Sequence, residues 1–140
     1  MLRLLVALDF SDCSRVALST AFEVAERGAP AEMLLLTVIP EQPDEVGGLD
    51  LVEQSVDELR RMVRAARGER PAPPGVTVNY TAVQGVPAES IAEQARAFVA
   101  DAIVLGTHGR KGLDRLILGS VAETVVRIAP CSVLTVKPRH

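Results

Sequence analysis

Aromatic side chains are scarce in this chain: three Phe, one Tyr and no Trp among 140 residues. The stacking platforms that single-strand nucleic-acid binders rely on are therefore missing. Positive charge is not in excess either, since 15 Lys and Arg stand against 18 Asp and Glu for a net charge of −3. No overall field draws the chain to nucleic acid or to an anionic membrane. The two cysteines, Cys13 and Cys131, are too few for a disulfide framework and are not spaced as a metal knuckle. Long hydrophobic runs are absent as well, none approaching the ~18 residues of a membrane span. The apolar opening from Met1 to Leu8 is broken by Asp9 and carries no small-residue cleavage site, unlike a signal peptide. These absences argue against nucleic-acid and membrane partners and predict a cytoplasmic protein.

What the chain does have is alternation. Five short apolar, β-branched runs are separated by helical patterns, the signature of an α/β sheet built from βαβ units. Strands are expected at Arg3 to Leu8, Met33 to Val38, Val76 to Val83, Ala102 to Thr107 and Ser132 to Val136. The first helix carries Leu18, Ala21, Phe22 and Ala25 on one face and stops at Gly28, with Pro30 beyond, a Gly-then-Pro terminus. The second carries Val52, Val56, Leu59, Val63 and Ala66 and ends at Gly68. A third opens on Pro87 and runs through Ile91, Ala95 and Phe98, with proline where its missing N–H costs nothing. The fourth is expected to start at Ser120, where Ser120 and Glu123 read as a capping box, and to end before Pro130. Pro40 to Asp50 reads as a mobile crossover and Gly68 to Gly75 as a stiff spacer, neither long enough to divide domains. One domain over residues 1–140 is expected, with Cys13 and Cys131 at opposite ends of a parallel sheet and unpaired.

Chemistry concentrates where strands end. In open parallel sheets ligands sit beyond the carboxyl ends of the strands, where neighbouring crossovers depart in opposite directions. Two loops there are polar: Asp9-Phe10-Ser11, and Gly106 through Gly119. The second has a G-x2-G-x9-G-S spacing, Gly106-Thr107-His108-Gly109 followed by Gly119-Ser120. Glycines at a strand end let backbone approach a ligand, and a helix N-terminus aimed at the same place favours an anion. Arg110, Lys111 and Arg115 add cationic reach. On spacing alone a phosphate cradle and a pair of simple turns with a capped helix remain equally open. Asp9 likewise reads either as a ligand contact or as a turn acid. His108, with no Cys or His cluster around it, is expected as an exposed loop residue, Cys13 as a packed thiol and Cys131 as core.

The stretch from Ile103 to Arg110, on through Leu118-Gly119-Ser120-Val121-Ala122 to Ala129-Pro130-Cys131-Ser132-Val133, resembles the ATP-binding signature of the universal stress protein family. Val6-Ala7-Leu8-Asp9-Phe10-Ser11 and Gly85-Val86-Pro87-Ala88 extend the likeness over nearly the whole chain. The resemblance implies a single-domain, Rossmann-like open parallel five-stranded sheet of order 3-2-1-4-5, with helices on both faces. It implies a homodimer along the fifth strand, and ATP with Mg²⁺ or Mn²⁺. Carried over by position, Ala7 and Asp9 meet the nucleoside and Val38 the adenine. Gly106, Thr107, His108, Gly109, Arg110, Lys111 and Gly112 line the phosphates, while Gly119, Ser120, Val121 and Ala122 close the site. Asp9 toward ribose or metal, and Lys111 toward phosphate or solvent, each keep both readings. The expected role is a nucleotide-dependent regulatory or stress-response protein. A slow nucleotide hydrolase and an adaptor with an empty pocket are the alternatives, the former weakened because no Walker A pattern is present.

Overall fold

A computed structural model describes residues 1–41, 48–108 and 118–138. Its elements are β1 (Leu2–Ala7), α1 (Asp12–Arg27), β2 (Ala31–Ile39), α2 (Gly48–Arg67), β3 (Val76–Gln84), α3 (Pro87–Phe98), β4 (Ala102–Gly106), α4 (Ser120–Ile128) and β5 (Ser132–Val136). The strands form one sheet of order β3-β2-β1-β4-β5, parallel at every pairing. The expected order and alternation are observed. Boundaries shift by a residue or two: β1 begins at Leu2 and stops at Ala7, and β2 starts at Ala31 and continues to Ile39. The expected crossover from Pro40 to Asp50 falls largely outside the described residues.

The pleat sends successive side chains to opposite faces, and β1 shows what this does. Leu4, Val6 and Leu8 join a core beneath α1 and α2 with Leu18, Phe22 and Leu59. Leu5 and Ala7 join a second core beneath α3 and α4 with Ile91, Ala95 and Val125. Leu4, Leu5, Val6 and Leu8 are all within 3% of complete burial. A fully buried Leu or Val side chain contributes roughly 1.5–3 kcal/mol, so the central strand alone binds both layers strongly. The edge strands β3 and β5 alternate between covered and open positions instead.

The chain order explains where a ligand would sit. From β1 the crossover α1 leads outward to β2, whereas from β4 the crossover α4 leads the other way to β5. β1 and β4 are hydrogen-bonded neighbours, Leu4 to Ala7 facing Ala102 to Leu105. Their two carboxyl ends open a crevice at the point of divergence. Among the described residues, no helix is long and apolar enough to cross a membrane.

Candidate functional site

At the end of β1 the chain makes a tight polar bracket. Phe10 adopts φ +66°, a left-handed conformation costly for a bulky residue, and this turns Ser11 back toward Asp9. Asp9 Oδ1 then accepts the Ser11 N–H at 3.1 Å, the Ser11 hydroxyl at 2.5 Å and the Ser14 hydroxyl at 2.6 Å. The Asp9 N–H donates in turn to Ser14 Oγ at 2.9 Å. Ser11 is the N-cap of α1, its oxygen accepting the Ser14 N–H at 3.2 Å. Asp9 thus does act in a turn, alongside its place on the cavity wall described below. Ser14 was not among the residues expected in the site; the D-x-S-x-x-S spacing from Asp9 to Ser14 carried that signal.

The end of β4 is built against α1. A Cβ on Gly106 would stand 2.7 Å from Cys13 Sγ and 3.1 Å from the Cys13 carbonyl carbon. Glycine is required here by the approach of α1, a different reason from the ligand approach its spacing suggested. Thr107, 2% exposed, donates its N–H to the Val136 carbonyl at 3.0 Å. Cys13 Sγ donates to the same carbonyl at 3.4 Å and lies 3.7 Å from Thr107 Oγ1. His108 Nδ1 is 3.0 Å from that hydroxyl. His108 is buried, correcting the expectation of an exposed loop histidine: the chain turns inward here, and the Gly119 N–H returns to the Thr107 carbonyl at 2.6 Å.

Helix α4 starts immediately after that return. Its N-cap is Gly119 in an extended conformation, with no side-chain cap bond. The expected capping box does not form: Ser120 is already the first helical residue, and the Glu123 carboxylate lies 3.7 Å from Arg127 one turn on. Because the first amides of a helix have no intrahelical acceptor, a glycine cap leaves this terminus without a side-chain oxygen and still carrying about half a positive charge.

These pieces surround one cavity of about 670 Å³. Ala7 of β1 with Asp9 just beyond it, Val38 of β2, Gly106 of β4 with Thr107 and His108 after it, and the cap Gly119 with Ser120, Val121 and Ala122 of α4 all line it. Gly109, Arg110, Lys111 and Gly112 lie outside the described residues. Leu36, Leu105 and Ile91 add apolar walls, and Ser55 and Glu58 of α2 reach the rim. The rim residues were not foreseen, because nothing local in α2 marks which turn faces the strand ends. Among the described residues no cluster of three metal-ligating side chains occurs. A divalent ion held here would take most of its ligands from oxygens of a bound ligand, with Asp9 as the carboxylate at the strand ends, and oxygen donors of that kind suit a hard ion such as Mg²⁺.

The cysteines play no part in the cavity lining. Both are free thiols, Cys13 buried as expected and Cys131 only half-buried where full core was expected. Burial first, and the Asp101 carboxylate second, push the Cys131 thiol above its ordinary value against a backbone hydrogen bond at Ile103.

Comparison with known proteins agrees with this geometry. The family model described as "Universal stress protein family" matches residues 1–137. Universal stress protein MJ0531 of Methanocaldococcus jannaschii is 33% identical over 96% of this chain and 81% of its own length. The solved universal stress protein UspA from Lactobacillus plantarum superposes with a TM-score of 0.78 at 26% identity, covering 97% of each chain. A universal stress protein crystallised in complex with cAMP shares the fold at 22% identity and a TM-score of 0.73, covering 99% of this chain and 98% of that one.

Proposed function

The chain belongs to the universal stress protein family, and on that footing we propose that it is a nucleotide-dependent regulatory protein that holds ATP with a divalent cation. The observation that carries this reading is the glycine-capped start of α4, which opens onto a cavity bounded by the ends of β1, β2 and β4. An anionic group is favoured there by the helix terminus. An apolar heterocycle is favoured at the other side, against Leu36, Val38 and Ile91. Asp9 lies between them, because β1 lies between β2 and β4. Base, sugar and phosphate thus meet apolar strand ends, a carboxylate and helix amides in the order in which a nucleotide presents them. The cavity volume lies within the ~300–1,000 Å³ of small-molecule sites. That a fold relative holds cAMP is in keeping with an adenine nucleotide. Gly109 to Gly112 would complete the phosphate side, and a bound Mg²⁺ would supply charge neutralisation there.

The same reading includes a cytoplasmic homodimer through β5. β5 is a sheet edge, and unpaired edges invite pairing with another chain. Leu134 on the strand is 40% exposed, and Val126 and Ile128 on α4 are exposed to a similar degree.

Titration calorimetry with ATP and Mg²⁺, paired with mass spectrometry of small molecules released on denaturing natively purified protein, tests the assignment. Saturable heat or a co-purifying nucleotide is expected, and binding should weaken by at least tenfold in Asp9→Ala, as for loss of a charged hydrogen-bond partner. No heat and no released nucleotide would refute it.

A further inference from the structure

We propose that α2 is a docking surface on which a second copy of this chain lies antiparallel, forming a seam separate from β5 and needing no ligand. The charges of α2 are segregated along its length: Asp50, Glu53, Asp57 and Glu58 come first, and Arg60, Arg61, Arg64 and Arg67 follow. A helix dipole favours charge of this sense only within the first and last turns, whereas Asp57, Glu58, Arg60 and Arg61 sit at mid-helix. Nor do these charges cancel inside the molecule. Arg60 stacks on Tyr80, Arg67 on Phe22, and Arg64 reaches Glu69 at 3.8 Å. Among the described residues Glu53, Asp57, Glu58 and Arg61 have no ion-pair partner, and all four are exposed.

The flank of α2 turned toward α1 adds apolar surface. A groove of about 390 Å³ opens between the two helices, floored by the buried Leu18 with Met62 and Ala66 and rimmed by Arg15, Glu58 and Arg61. Gln54, Glu58, Arg61 and Ala65 recur there at i, i+4, i+7 and i+11, one exposed stripe of the helix. Laid antiparallel on its own copy about a two-fold axis, the stripe sets Gln54 against Ala65 and Glu58 against Arg61, each contact made twice. Two-fold interfaces are self-complementary in this sense. The second copy is the occupant the charges select, because reversing one helix brings the acidic half of each against the basic half of the other. Exposed ion pairs add little apiece, so the seam is weak, with a Kd of roughly 0.1 mM. Below that concentration only the pairing proposed for β5 is populated.

Small-angle scattering of the full chain over a concentration series reaching ~1 mM, at about 0.1 M and about 1 M NaCl, tests the seam. The apparent mass is expected to rise toward twice its dilute value in the lower salt and to stay level in the higher, where charges are screened beyond ~3 Å. Two full-length variants sharpen the comparison. Asp57→Arg with Glu58→Arg leaves the middle of α2 wholly basic, and Arg61→Glu with Arg64→Glu leaves the stripe acidic. Each alone should lose at least about tenfold in self-association, because like charges then meet. An equimolar mixture should recover it, since a basic flank then faces an acidic one. All four positions are exposed, where substitutions rarely disturb folding; if either variant does not fold, the salt series on the unaltered chain decides. Leu134→Lys should leave the rise in mass in place, since it alters only the β5 edge. A mass that does not rise with concentration, a rise that survives high salt, or variants that associate as well alone as mixed would overturn the inference. Failure to bind ATP would refute the nucleotide reading and leave this seam untouched.

Discussion

Alanine at position 106 would bring its Cβ within 2.9 Å of the Cys13 Cβ and 3.1 Å of the Cys13 backbone. A rigid helix start cannot yield as a flexible side chain would, so Gly106→Ala is expected to cost about 1–3 kcal/mol, the range for overpacking. Urea denaturation would measure it, and a loss below about 0.5 kcal/mol would mean that α1 stands off from β4 more than described. Residues at this scale were unevenly legible in the sequence. The Asp9-Phe10-Ser11 and Gly106 segments announced themselves by their polarity and spacing after apolar runs. Their detailed duties did not, because Gly106 answers to a helix packed from elsewhere in the chain and His108 is buried beside Thr107, whose carbonyl takes the Gly119 N–H from far along the sequence. Ser14 was readable in principle, since Asp and Ser at that spacing favour side-chain to backbone bonds around helix starts.

Among the elements, the strands and helices followed their hydrophobic periodicity closely. The buried face of α1 includes the expected Leu18, Ala21, Phe22 and Ala25, and Pro87 opens α3 as its chemistry demands. The start of α4 is where local pattern misled. Ser120 and Glu123 have the spacing of a capping box, but the cap position is set by where the backbone leaves its extended conformation, and that residue is Gly119. Ser120→Ala should therefore change stability by no more than about 0.5 kcal/mol, the ordinary surface range, instead of the ~1 kcal/mol lost with a true serine cap. Chemical denaturation decides between them: a loss near 1 kcal/mol would restore Ser120 as the cap.

At the scale of the whole molecule, the order β3-β2-β1-β4-β5 was implied by resemblance, whereas alternation alone said only that the sheet is parallel. Composition could not rank the strands, because edge and centre differ in burial more than in residue type. β5 shows the cost of that position: Leu134 is 40% exposed there, whereas Ile103, Val104 and Leu105 of β4 are buried. In the proposed dimer this edge is covered, so Leu134→Lys, which places a charge of the kind that natural edges use against pairing, is expected to shift the protein to monomer. Sedimentation velocity would report it, and an unchanged dimer would move the seam elsewhere.

The Val136 carbonyl, which takes both the Thr107 N–H and the Cys13 thiol, ties the last residue of that edge strand to the inner wall of the cavity. Local opening in proteins proceeds by cooperative units rather than residue by residue. Here the outer strand and the cavity wall meet at one carbonyl, so a departure of Val136 takes away the acceptor of both the Thr107 N–H and the Cys13 thiol.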